Sequence, residues 1–200
     1  IVASPRGYGT LAGERHPSWN GGGASSSPGP RHKTCRDVRL SSLVGFPYCY
    51  DDCGECADEC WWSTCRDSVE QIAWLLEELG NRYCVDSART YAFGSSNGGA
   101  FMLGLASDPR TAGRFAGFFN YVGLPHAGFV RPPTRLATYL GIFGGLDDIM
   151  PPLHNPSPAA AAGGVSLASA STSWSTGDGG WYYSTARNVS RTWAVANRCG

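Results

Sequence analysis

Apolar residues recur at three- and four-residue spacing over Val69, Ile72, Ala73, Leu75, Leu76 and Leu79. That spacing predicts an amphipathic helix over 67–79. Asp67 with Glu70 three residues on reads as its capped start, and Gly80 as its stop. Shorter apolar runs predict strands at 1–4, 90–93, 115–122 and 137–143. A small-residue apolar run from about Gly99 to Ala106 predicts a second helix packed close against a sheet. A third is predicted over 181–197, with Ala186, Val189, Trp193 and Ala196 on one face. Residues 6–33 are rich in Gly, Pro and Ser and read as loop. Residues 35–65 hold too much Asp, Gly and Cys for a regular element, and 155–180 read as a flexible Ala/Ser/Gly insertion. Strands alternating with helices predict an α/β fold, with a mostly parallel sheet covered on both faces.

The 200 residues fit one domain with a sizeable core. Sixteen basic residues balance sixteen acidic ones, so no basic stripe calls for nucleic acid. No apolar stretch approaches the ~20 residues of a membrane span. Eight cysteines, Cys35, Cys49, Cys53, Cys56, Cys60, Cys65, Cys84 and Cys199, suit disulfides in an oxidising, extracellular setting. Their pairing is open, since eight cysteines allow about 105 connectivities. A metal site is disfavoured, because the spacings are uneven and no histidine lies among them. Asn188-Val189-Ser190 is an N-glycosylation sequon consistent with secretion.

The candidate chemistry lies at Gly94-Ser95-Ser96-Asn97-Gly98, a G-x-S-x-G stretch between a predicted strand and a predicted helix. A sharp strand-to-helix turn there would hold the Ser96 hydroxyl in the open and aim backbone N–H groups at a developing oxyanion. The plain alternative is an ordinary Gly/Ser turn. The stretch lacks the Lys-Ser/Thr ending of a phosphate loop. Gly144-Gly145-Leu146-Asp147-Asp148 is a second candidate, as an acid-bearing loop or as a solvated turn. Trp19 is a candidate wall of a substrate pocket, whereas Trp61 and Trp62 read as packing beside disulfides.

Tyr91-Ala92-Phe93-Gly94-Ser95-Ser96-Asn97-Gly98-Gly99-Ala100 resembles the elbow of polyhydroxybutyrate depolymerase-type and feruloyl esterase-type enzymes, secreted members of the α/β-hydrolase superfamily. Four other stretches agree in order: residues 1–5 with Ser18-Trp19-Asn20, Cys84 to Arg89, Gly144 to Pro151, and Arg191 to Cys199. The resemblance implies that Ser96 is the nucleophile and that Asn97 supplies an oxyanion N–H. It makes Asp147, rather than Asp148, the acid that orients a histidine. Trp19 and Asn20 would contact an ester substrate carried on a polymer or polysaccharide, and no cofactor is required. Cys199 would pair with an upstream cysteine. The family's His-Gly oxyanion strand and its Gly-His loop find no match, and His16, His32, His126 and His154 stand in other contexts. The resemblance therefore implies a chain that begins and ends inside a longer one and is nearly inactive by itself, lacking the catalytic histidine and the first oxyanion motif. A non-catalytic carbohydrate- or polyester-binding module on a hydrolase shell is the alternative, and a serine peptidase of the same superfamily a weaker one.

Overall fold

The computed structural model describes residues 1–11, 13–20, 64, 66–126, 129–153, 174–177 and 182–199. Strands β1 (Tyr8–Leu11) and β2 (Glu14–Ser18) form an antiparallel hairpin inside the stretch expected to be loop. Helix α1 (Ser68–Arg82) follows, then β3 (Tyr91–Ser95), α2 (Asn97–Ser107), β4 (Gly117–Tyr121) and β5 (Thr138–Ile142). A second antiparallel pair, β6 (Trp174–Thr176) and β7 (Tyr182–Ser184), precedes α3 (Ala186–Ala196).

β3, β4 and β5 make a parallel three-stranded sheet in that order, packed against helices. Strand parity divides its side chains between two faces. The rows Ala92–Phe118–Tyr139 and Gly94–Asn120–Gly141 share one face. That face meets the core, where Phe101, Leu103 and Leu105 of α2 are buried with Val69 and Ile72 of α1 and Val189 and Trp193 of α3. Trp193 stacks on Tyr139 at 4.6 Å and meets Phe118 edge-on at 5.8 Å. Every residue of α2 from Gly99 to Ala106 is buried, as an all-apolar helix requires. Each such large side chain contributes about 1.5–3 kcal/mol by leaving water.

α1 begins where expected, with the Glu70 N–H donating to Asp67 Oδ1 at 3.0 Å. It runs two residues past the expected stop. Open space surrounds Gly80, and an Arg82–Glu78 ion pair of 2.8 Å supports the last turn. Arg110, beyond α2, bonds both Asp67 and Asp108 and so ties the start of α1 to the end of α2. α3 starts at Ala186, later than expected, because 182–184 pair with β6 and Thr185 caps the helix by accepting from the Asn188 N–H. Asn188 therefore lies in the first turn of α3, half-buried.

The structure differs from the sequence expectations in further places. Residues 1–4 form no strand, because no strand among the described residues offers them a ladder. Part of the Ala/Ser/Gly segment, 174–176, is paired strand; 155–173 and 178–180 lie outside the described residues. Among the described residues the sheet is covered on one face only. On the other, Phe93 is 71% exposed, with Tyr91, Tyr121, Leu140 and Ile142 beside it. With 150–250 Å² per aromatic ring, this patch amounts to roughly 500 Å², at the upper end for a lone protein surface. Phe93→Lys with Leu140→Lys is expected to lower binding of a hydrophobic dye and self-association in light scattering, with the thermal midpoint nearly unchanged. Unaltered dye binding would contradict the exposure of this face.

Candidate active site

The candidate site forms where β3 leaves the sheet. Ser96 has φ 53° and ψ −123°, a conformation that L-residues seldom adopt. Gly94 makes the turn sterically feasible, since a Cβ there would strike the Gly98 carbonyl. Strand exit and helix entry thus cross in direct contact. The Ser96 N–H donates to the Tyr121 carbonyl at 2.9 Å, and the Ser96 carbonyl accepts from the Ala100 N–H at 3.0 Å. Its backbone is fixed while its side chain is exposed.

Ser96 stands at the N-cap of α2 yet makes no side-chain capping bond. A cap serine ordinarily accepts from an N–H of the first turn, a bond worth about 1 kcal/mol. Here the hydroxyl forgoes that bond and faces outward. Asn97 is the first residue of α2, where backbone N–H groups have no partner inside the helix. The geometry thus sets an uncommitted hydroxyl beside N–H groups and the positive end of a helix dipole.

The Asn97 side chain has a separate task. Its Oδ1 accepts from the Trp19 N–H at 2.7 Å and the Ser18 hydroxyl at 3.5 Å, and its Nδ2 donates to the Trp19 carbonyl at 3.1 Å. These bonds bring Trp19 to the elbow, where its ring stacks on Phe101 at 5.2 Å with 5° between planes. Trp19 lines a cleft of about 1090 Å³. Ser96 and Asn97 lie along its wall, with β3, residues 1–5 and the apolar side chains Leu75, Leu76 and Met102.

Asn20 does not line the cleft. Fully buried, its N–H donates to the Ser68 hydroxyl at 2.9 Å and its Nδ2 to the carbonyls of Thr64 at 2.6 Å and Arg66 at 3.3 Å. Its donors are spent on the Ser68 hydroxyl and on two backbone carbonyls, joining the Trp19 loop, where a substrate contact was expected, to the start of α1.

Asp147 follows β5, two strands across from β3. In a parallel sheet both loops leave from the same edge, with the strands about 10 Å apart. Asp147 Oδ1 accepts from the N–H groups of Ile149 at 3.0 Å and Met150 at 2.9 Å. Oδ2 makes no hydrogen bond among the described residues. The carboxylate stands near buried Tyr183, whose phenol is pushed well above its usual pKa by burial first and by this charge second. Asp147 does not line the Ser96 cleft, and Asp148 is exposed.

His126 is buried and stacked on Tyr183 at 4.8 Å. Among the described residues no hydrogen bond joins Ser96 or Asp147 to an imidazole. His32, His154, Trp61, Trp62 and six cysteines (Cys35, Cys49, Cys53, Cys56, Cys60 and Cys65) lie outside the described residues. Cys84 and Cys199 are exposed and form no disulfide among the described residues, and the six other cysteines expected to pair lie outside these. A disulfide needs two Cα atoms within about 7 Å and matched Cβ directions; these two form none with each other. No cluster of metal-binding side chains occurs among the described residues.

The sequence reading missed Asn120, a polar residue at a core parity of β4 (Gly-Phe-Phe-Asn-Tyr), which a stricter count of alternation would have flagged. No protein-family model, curated protein or solved structure matches this chain.

Backbone strain at a site like Ser96 costs about 1–3 kcal/mol. Ser96→Gly relieves it and gives back about 0.5–1 kcal/mol through a more flexible unfolded chain. The variant is expected to raise the thermal midpoint by about 2–4 °C, whereas Ser96→Ala, still strained, leaves it unchanged. A lower midpoint for Ser96→Gly would contradict the strained turn.

Proposed function

We propose that this chain is a serine esterase of the α/β-hydrolase kind, similar to polyhydroxybutyrate depolymerases and feruloyl esterases. It would act outside the cell on carboxylic esters carried by a polymer or polysaccharide. The observation that carries this reading is the exposed Ser96 hydroxyl, held at positive φ on a helix N-terminus that it does not cap.

In this mechanism Ser96 Oγ bonds to the acyl carbon while its proton passes to a base. The carbonyl oxygen gathers negative charge, which the Asn97 N–H and the α2 dipole stabilise. The C–O bond to the alcohol then breaks, and the alcohol leaves with that proton. Water attacks the acyl-enzyme and restores Ser96. Asp147 would orient an imidazole through Oδ2, its Oδ1 being held by the loop. The chain order Ser then Asp is that of α/β-hydrolases. The apolar cleft beside Ser96 suits the acyl part of the ester. No cofactor enters the reaction.

A second reading, a binding module for polyester or carbohydrate, is favoured by one observation: no imidazole is bonded to Ser96 or Asp147 among the described residues. Labelling separates the two. A fluorophosphonate probe is expected to modify Ser96 slowly, as located by mass spectrometry, and not to modify Ser96→Ala at any serine. Added imidazole, a base supplied from solution, is expected to speed that labelling, and Asp147→Asn to cut the stimulation. Label unaffected by Ser96→Ala, or no label with imidazole present, would contradict the esterase reading.

A further inference from the structure

The turn after β4 presses on the elbow from behind. Gly123 is the contact point: a Cβ on it would strike the Ser96 carbonyl and the Ala100 N–H. Gly99 is as close from the other side, since a Cβ there would strike Asn120 Oδ1 and lie 3.0 Å from Gly123 Cα and the Tyr121 carbonyl. The Tyr121 carbonyl also accepts from the Ser96 N–H at 2.9 Å. Beside the Ala100 N–H of its own helix, the groups that locate the Ser96 backbone from behind therefore come from residues 121 and 123.

This turn is itself strained. Val122 lies at φ 49°, an outlier for a β-branched residue. Two restraints hold it. The Val122 N–H donates to the Ile142 carbonyl of β5 at 2.8 Å. Asn120 closes the rest: its Oδ1 accepts from the Gly123 N–H at 2.9 Å and its Nδ2 donates to the Gly123 carbonyl at 2.6 Å. The second Nδ2 hydrogen goes to the Tyr139 hydroxyl at 3.1 Å. Asn120 is 1% exposed, so both amide hydrogens are spent inside the protein. Tyr139 is anchored in turn by its stack on Trp193. Its phenol, pushed up to about 12 by burial, remains neutral and accepts at any ordinary pH.

We propose that Asn120 is a positioning residue for Ser96, setting the depth and direction of the hydroxyl by bracing the 121–123 turn against the elbow. The proposal rests on the reading of Ser96 as the nucleophile. Asn120 touches no substrate and does not line the cleft. Its effect runs through one peptide unit, Gly123, that has no slack toward Ser96. A shift of about 1 Å in a reacting group can cost on the order of a hundredfold in rate. Both functions of the amide are needed, since one edge of Gly123 offers a donor and the other an acceptor.

Asn120→Asp separates positioning from plain stability. As a carboxylate it accepts from the Gly123 N–H but faces the Gly123 carbonyl with a second oxygen. Once protonated it again offers one donor and one acceptor. Burial raises the pH at which that protonation occurs. The test is the fluorophosphonate labelling rate at Ser96, as a ratio of variant to unaltered chain, from about pH 8 down to about pH 5. The ratio is expected to be about one-tenth or lower at the high end and to climb towards one as the pH falls. The loss should appear in the maximal labelling rate and not in the half-saturating probe concentration. Should Asn120→Asp not fold, as judged by circular dichroism, Asn120→Ser serves instead. Its hydroxyl is too short to reach both edges of Gly123, so its maximal rate is expected to fall about tenfold or more. A variant that labels at the unaltered rate, or an Asp ratio that is low and flat with pH, overturns the positioning role alone. An unaltered chain that never labels at Ser96 overturns the esterase reading and this inference with it.

Discussion

The structure turns on one backbone conformation, the positive φ of Ser96 between β3 and α2. A serine in that position loses the usual capping bond and sits in a region that costs about 1–3 kcal/mol. It persists because its surroundings leave no other arrangement. Gly94 packs on the Gly98 carbonyl in front, Gly123 packs on the Ser96 carbonyl behind, and the Tyr121 carbonyl takes the Ser96 N–H. Close approach of three backbone segments, possible only through glycine, holds the turn.

The rest of the described fold supplies the anvil. α2 is buried along its length and cannot move to relieve the turn. Trp193 of α3 braces Tyr139, which braces Asn120, which braces Gly123. On the cleft side the Asn97 amide grips both backbone groups of Trp19, and Asn20 ties the same loop to α1. Asn97 and Asn20, both expected at the site from the sequence, do structural work with their side chains. Only the Asn97 backbone N–H faces the chemistry proposed for Ser96.

Much of this was legible in the sequence for identifiable reasons. β3, β4 and β5 are short apolar runs, as strands of a parallel sheet tend to be, and α1 carries a clean three-four spacing with an Asp cap. The elbow was legible because glycine is required at fixed offsets from Ser96. The β1–β2 hairpin was not, because Glu14-Arg15-His16-Pro17-Ser18 shows no apolar alternation. The bare outer face was hidden for a different reason: Tyr91, Phe93, Tyr121, Leu140 and Ile142 read as core by type, and nothing in their spacing tells which face a helix will cover. Asn20 stood as a contact residue through the family resemblance of Ser18-Trp19-Asn20. Only burial distinguishes a polar side chain that meets ligand from one that ends a loop on a helix.

The two candidate groups, Ser96 and Asp147, leave the sheet at the same edge, where ligands of open α/β sheets bind. Asp147 spends one carboxylate oxygen on its own loop, which fixes the direction of the other. The most direct measurement is a crystal structure of the chain after reaction with a fluorophosphonate. The account requires phosphorus bonded to Ser96 Oγ, the phosphoryl oxygen within about 3 Å of the Asn97 N–H, and Ser96 still at positive φ. A Ser96 that relaxes to negative φ with its hydroxyl capping α2, and phosphorus elsewhere or absent, would contradict it.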